Sequence, residues 1–154
     1  MTLTLDIVSP TKLLLSKAVD MVVMPGYEGD LAAQPGHSPV ITLLRGGVLS
    51  LYEGGQATEK FFVAGGFAEI GPQSCTILAD EAVHLDDLDA SKAASALSDA
   101  NAAWDAVDKL DNEARGAVLD KLQIARARVA ALTQTANVRE VLKAADRADT
   151  SVAV

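Results

Sequence analysis

His37, His84 and Cys75 are the side chains in this 154-residue chain best suited to proton transfer or nucleophilic attack. Each would need a partner within hydrogen-bond reach, and a third group to orient that partner. Local spacing supplies neither. His37 stands in a run of turn residues, Gln34-Pro35-Gly36-His37-Ser38-Pro39, and reads as solvated or as a contact residue. His84 follows an apolar strand, is part of no HExxH pattern, and is expected to pack against the helices that come after it. Cys75 alternates with Thr76 along a strand, which predicts a buried, inert thiol; as the sole cysteine it forms no internal disulfide. Asp86, Asp87 and Asp89 could mimic a cation site, but no glycine-centred calcium loop follows. Capping and the positive end of a helix account for carboxylates there. Gly26-Tyr27-Glu28-Gly29 lacks the lysine and the helix of a phosphate loop. Arg126 and Arg128 suit phosphate, but equally suit covering an apolar seam with their stems. No catalytic residues, no metal site and no cofactor are therefore expected, and recognition is the chemistry left.

Recognition needs a rigid scaffold, and the chain supplies one in two textures. Leu3–Val8 sets Leu3, Leu5 and Ile7 against Thr4, Asp6 and Val8, the alternation of a half-buried strand. Lys12–Met24 reads as two strands or one bent strand. Further strands are expected at Asp30–Ala33, Val40–Leu44, Val48–Glu53, Thr58–Ala64, Phe67–Ile70 and Cys75–Ala79. Between them stand Pro35-Gly36, Gly54-Gly55, Gly65-Gly66 and Gly71-Pro72, and turns at such intervals mark a sandwich or barrel. Between Leu85 and Ala148 there is no proline and a single glycine, Gly116. Asp89 is placed to cap a helix whose apolar stripe is Ala90, Ala93, Leu97, Ala100, Trp104 and Val107. Asn112 is placed to cap a second, with the stripe Ala114, Val118, Leu122, Ala125, Val129 and Leu132. The expectation is a mainly β N-terminal sandwich over residues 1–84, followed by an antiparallel α-helical hairpin over 85–137, a two-domain α+β chain. Residues 138–154 form a C-terminal extension, read as a short helix and then a frayed end.

Charge narrows the partners. The net charge is −8 and the pI near 4.6, which argues against nucleic acid. The balance is −5 over residues 1–84, −5 over 85–111 and +2 over 112–154, so an acidic first helix is followed by a basic second one. No apolar run reaches the roughly 20 residues a membrane span needs, and MTLTLDIVSP is no signal peptide; no direct membrane insertion is expected.

The stretch with the densest turn chemistry, GYEGDLAAQPGHSPVITLLR from Gly26 to Arg45, reads as an exposed and closely specified contact surface. With FFVAGGFAEI, TILADEAV and a helix opening on LDDLD, it resembles the epsilon subunit of F-type ATP synthases, called delta in mitochondria. The resemblance runs from about Leu3 to about Leu132. It implies a non-catalytic central-stalk subunit, bound to the gamma subunit and standing on the c-ring, peripheral on the cytoplasmic face of the bacterial inner membrane. It places Asp30, Gln34 and His37 against the c-ring. It also implies that the hairpin can reach the alpha/beta catalytic subunits and inhibit hydrolysis, with Arg115, Lys121, Arg126 and Arg128 making that contact. Some members bind ATP on the hairpin. Here the matching positions are Asp89, Lys92 and Arg128, with lysine in place of one arginine and Ile124 in place of another, which implies a vestigial nucleotide site. The alternative reading is a free-standing ATP-sensing regulatory module.

Overall fold

The computed structural model describes residues 1–134. Two compact units make up the chain, Met1–His84 and a second that begins at Leu85.

The first unit is a sandwich of two five-stranded sheets. Its strands are β1 (Leu3–Val8), β2 (Leu13–Val19), β3 (Met21–Gly26), β4 (Gly29–Ala33), β5 (Val40–Leu43), β6 (Gly47–Glu53), β7 (Gln56–Val63), β8 (Phe67–Ile70), β9 (Ser74–Leu78) and β10 (Ala82–His84). One sheet runs β2-β1-β9-β8-β5 and the other β10-β7-β6-β3-β4. The predicted alternation holds in β1, where Leu3, Leu5 and Ile7 are buried and Thr4 is exposed. They meet Val19, Val22, Met24, Leu49, Leu51, Phe61, Ile70 and Ile77 in an almost wholly aliphatic core. Cys75 lies in that core, and burial alone pushes its thiol up to about 12.

The Lys12–Met24 run is two strands in different sheets. Asp20 marks the break: its amide donates to Tyr52 O, and its carboxylate accepts from Gly54 N at 2.7 Å. β1 pairs antiparallel with β2 but parallel with β9, from Thr4↔Ser74 to Val8↔Leu78. β10 escapes a reading of the sequence because three consecutive half-buried residues carry no alternation. His84 sits in β10 opposite Phe61, its ring edge-on to that phenyl at 5.1 Å.

Lys17 on β2 reaches across to the other sheet, 3.2 Å from Glu53 and 3.1 Å from Glu59. The hydrogen bonds to Glu59 and then Glu53 hold its ammonium above the ordinary 10.5. A folded-state value above the unfolded one gives stability that is complete below pH 10.5 and lost as pH rises through the folded value. Lys17→Met is expected to cost about 1 kcal/mol or less near neutral pH, with the gap to the parent chain closing above pH 10.5. Urea titrations across pH measure this, and a gap that widens with alkalinity would contradict it.

The second unit holds α1 (Ala90–Asp105) and α2 (Asn112–Ala131), packed on each other through a short connection that contains a 3-10 turn, Val107–Lys109. Asp89 caps α1, its carboxylate accepting from Lys92 N. The cap of α2 is Asp111, not the expected Asn112: Asp111 accepts from Ala114 N at 2.8 Å, so the helix starts one residue earlier. Ala93, Leu122, Ala125 and Leu132 are buried; Leu97, Ala100, Ala114, Val118 and Val129 are half-buried. Ala90 and Trp104 lie on the predicted stripe but are exposed, because each stands at an end of α1. Among the described residues, few large side chains are buried here compared with the sandwich, so most of their hydrophobic stabilisation lies in the β unit. The extension over 138–154, and the last residues of the expected hairpin, lie outside the described residues. Among the described residues, no helix is long and apolar enough to cross a membrane.

Candidate contact surface

The β3–β4 hairpin turns on Tyr27-Glu28, with Gly26 and Gly29 paired across it. A side chain on Gly26 would put its Cβ 2.5 Å from Gly29 O, and Gly29 itself has φ of +139°, so both ends of this tight turn require glycine. Asp30 follows at once and is exposed, its carboxylate held at 2.9 Å by Arg45. Along β4 the pleat turns Leu31 and Ala33 inward and Asp30 and Ala32 outward; Gln34 continues the outward row. At about 3.3 Å per residue, Asp30 and Gln34 stand roughly 13 Å apart at opposite ends of this row.

A second turn then carries the chain from one sheet to the other. His37 N donates to Gln34 O at 3.1 Å, with Pro35 and Gly36 in the middle and Gly36 at φ of +85°, the arrangement of a type II turn. Gly36 N also donates to Pro72 O at 2.7 Å, which pins the turn to the β8–β9 loop. Gln34 Nε2 lies 3.3 Å from the Met21 sulfur, and His37 Nδ1 donates to Ser38 O at 2.7 Å. Of the three residues the sequence singles out, Gln34 and His37 share one turn, while Asp30 belongs to the far end of the strand.

β5, the edge of its sheet, carries what the sequence reading misses. Ile41 is 68% exposed and Leu43 64%, and Phe67 lies opposite Leu43 on β8. Tyr27, 66% exposed, is tied by its backbone to the same strand, its amide donating to Leu43 O at 2.8 Å. A contiguous apolar face on a charged protein marks an interaction site. The run Val40-Ile41-Thr42-Leu43-Leu44 holds a signal in its failure to alternate: a strand apolar on both faces has either two cores or one partner.

The helical candidates are placed differently. Asp89 spends its carboxylate on the α1 cap, and Lys92 is exposed in the first turn of that helix. Arg128 is half-buried near the far end of α2, which the antiparallel pairing brings to the same end of the hairpin. Lys121 and Arg126 are exposed. Arg115 turns back on the connection, its Nε within 3.2 Å of Leu110 O and 3.3 Å of Val107 O, and so fastens the hairpin's own bend. Among the described residues, no three His, Cys, Asp or Glu side chains are grouped so as to hold a metal.

Residues 2–85 match the family model described as ATP synthase, Delta/Epsilon chain, beta-sandwich domain. This chain belongs to the ATP synthase delta/epsilon family. It is 52% identical over 128 residues to the ATP synthase epsilon chain of Granulibacter bethesdensis, covering 83% of this chain and 95% of that one. The epsilon chain of Gluconacetobacter diazotrophicus is 47% identical over 131 residues, 85% of this chain and 93% of the relative. A chain in the cryo-EM structure of the Euglena gracilis mitochondrial ATP synthase, OSCP/F1/c-ring in rotational state 1, superposes with a TM-score of 0.70 at 28% identity, covering 85% of this chain and 81% of that chain. The delta/epsilon reading made from the residues stands, and with it the sandwich-plus-helices fold and the role of a non-catalytic subunit of an ATP synthase.

Proposed function

We propose that this delta/epsilon chain couples the catalytic head to the proton-driven ring as a central-stalk subunit, with the sandwich making both rotor contacts. The observation that carries it is that the edge strands of the two sheets, β5 and β4, are joined by the Tyr27–Leu43 and Arg45–Asp30 links and carry exposed apolar residues (Ile41, Leu43, with Phe67 opposite) and an outward polar row (Asp30, Gln34). A permanent neighbour such as gamma suits the apolar face, because such contacts resemble a divided core. The polar row is then left for the c-ring. The Euglena neighbour is a chain of an assembly that includes a c-ring, which supports the same setting for this chain. The chain then lies peripherally on the cytoplasmic face of the inner membrane, and the exposed Lys121 and Arg126 of α2 offer a basic surface to the alpha/beta subunits.

The test is charge reversal at Asp30. Asp30→Lys is expected to leave stability within about 1 kcal/mol, as suits an exposed pair, and to lower ATP-driven proton pumping per ATP hydrolysed. Unfolding of the variant chain, or undiminished pumping, would show that Asp30 is no contact.

ATP is not expected to bind the hairpin at tens of micromolar. Asp89 is committed to its cap, and Lys92 and Ile124 stand where two arginines would. Losing two charged hydrogen bonds at roughly 1.5–3 kcal/mol each weakens binding by about a hundredfold or more. A saturable calorimetric isotherm below that range would disprove this.

A further inference from the structure

Arg45 makes three hydrogen bonds to one short stretch of chain. Its amide donates to Pro25 O at 3.0 Å, its Nε to Gly26 O at 3.0 Å, and its Nη2 to Asp30 at 2.9 Å. Two further links join the same places: Tyr27 N to Leu43 O, and the bridge between Gly26 and Leu44. The turn so held is one that cannot stiffen itself. Gly26 and Gly29 are the residues with the most backbone freedom to lose, and neither can be exchanged for a stiffer one without strain. Asp30 has no other described tether and is 67% exposed, so without Arg45 its carboxylate would sample many rotamers. Arg45 itself lies just past the end of β5, the strand that carries Ile41 and Leu43.

We propose that Arg45 is a positioning residue for the stalk contact: it clamps the Gly26–Asp30 turn to the end of β5, so that the polar and apolar parts of the contact surface act as one rigid body. The inference rests on the reading of Asp30 as a rotor contact. One planar guanidinium holds both ends of the turn. Nε takes the turn's carbonyl and Nη2 the carboxylate, a division that the single ammonium of lysine cannot reproduce. Partner load on Asp30 therefore passes into β5 through the side chain of Arg45, as well as around the hairpin backbone.

The test compares Arg45→Gln, Arg45→Lys, Asp30→Ala and the double variant Arg45→Gln/Asp30→Ala. Each is measured as the full chain by amide exchange, and in the assembled synthase in inverted vesicles by proton pumping per ATP hydrolysed. Arg45→Gln should speed exchange at Tyr27–Asp30 by about fivefold, the factor for losing roughly 1 kcal/mol of local stability. It should lower pumping about as much as Asp30→Ala does, and the double variant should be no worse than either single one. Arg45→Lys should fall between, and it carries the test if the glutamine variant fails to fold. Unchanged exchange in Arg45→Gln overturns the clamp. Normal pumping in Arg45→Gln beside reduced pumping in Asp30→Ala overturns the positioning role but leaves Asp30 a contact. Normal pumping in Asp30→Ala removes the contact itself, and the proposal falls with it.

Discussion

Gly66→Ala should cost at least about 4 kcal/mol and leave the sandwich unfolded or nearly so in mild urea. The Cβ would sit 2.0 Å from Leu78 O and 2.8 Å from Ala79 Cα, and φ is +95°, where a side chain is strained even in open space. The obstruction is backbone on both counts, so no rotamer change relieves it. Relief would require β8 and β9 to separate, and those strands are paired from Phe67↔Leu78 to Ile70↔Cys75. Gly116→Ala is the matched control. Nothing lies within 4 Å of its Cβ position in α2, so that change should stabilise by about 1 kcal/mol through helix propensity alone. Urea unfolding of both variants decides the matter; a near-native midpoint for Gly66→Ala would show that this crossing of the chain is looser than its geometry.

Ile41→Asp combined with Leu43→Asp should all but abolish stalk assembly while the isolated chain stays folded. Both side chains are about two-thirds exposed, so little burial is lost in the free chain. Bound, each would forfeit about 1.5–3 kcal/mol of apolar burial, or two to four orders of magnitude in affinity together. The aspartates would also have to be desolvated against an apolar partner, which adds to the loss. Copurification of the variant with the other stalk subunits is the measurement, beside the thermal midpoint of the free chain. Full assembly would mean that the partner covers a different face.

The two predictions draw on different kinds of legibility. Gly65-Gly66 announces itself as a break in the chain, and the strands either side of it can be read to within a residue or two. What no local pattern encodes is that Leu78 O fills the place of a side chain at Gly66. Ile41 and Leu43 read as strand residues and, being apolar on a strand that does not alternate, pass for core; that β5 is an edge strand with these two side chains outward shows only in the fold. Turn chemistry marks the stretch that holds Asp30 and the family resemblance singles out the residue, but its partner Arg45 is fifteen residues on, and a surface ion pair leaves no mark on periodicity. Trp104 departs from expectation because it lies near the end of α1, where the regular spacing that justifies the reading stops.

The parallel pairing of β1 with β9 sets the order in which this protein can come into being. Leu5 cannot find Cys75 until β2 to β8, which lie between them in sequence, have been made. As the chain leaves the ribosome, β1 and β2 have only each other, and a lone two-stranded pair is marginal in water. The central seam of that sheet therefore closes late, and until it does the apolar residues of β1 are open to wrong partners.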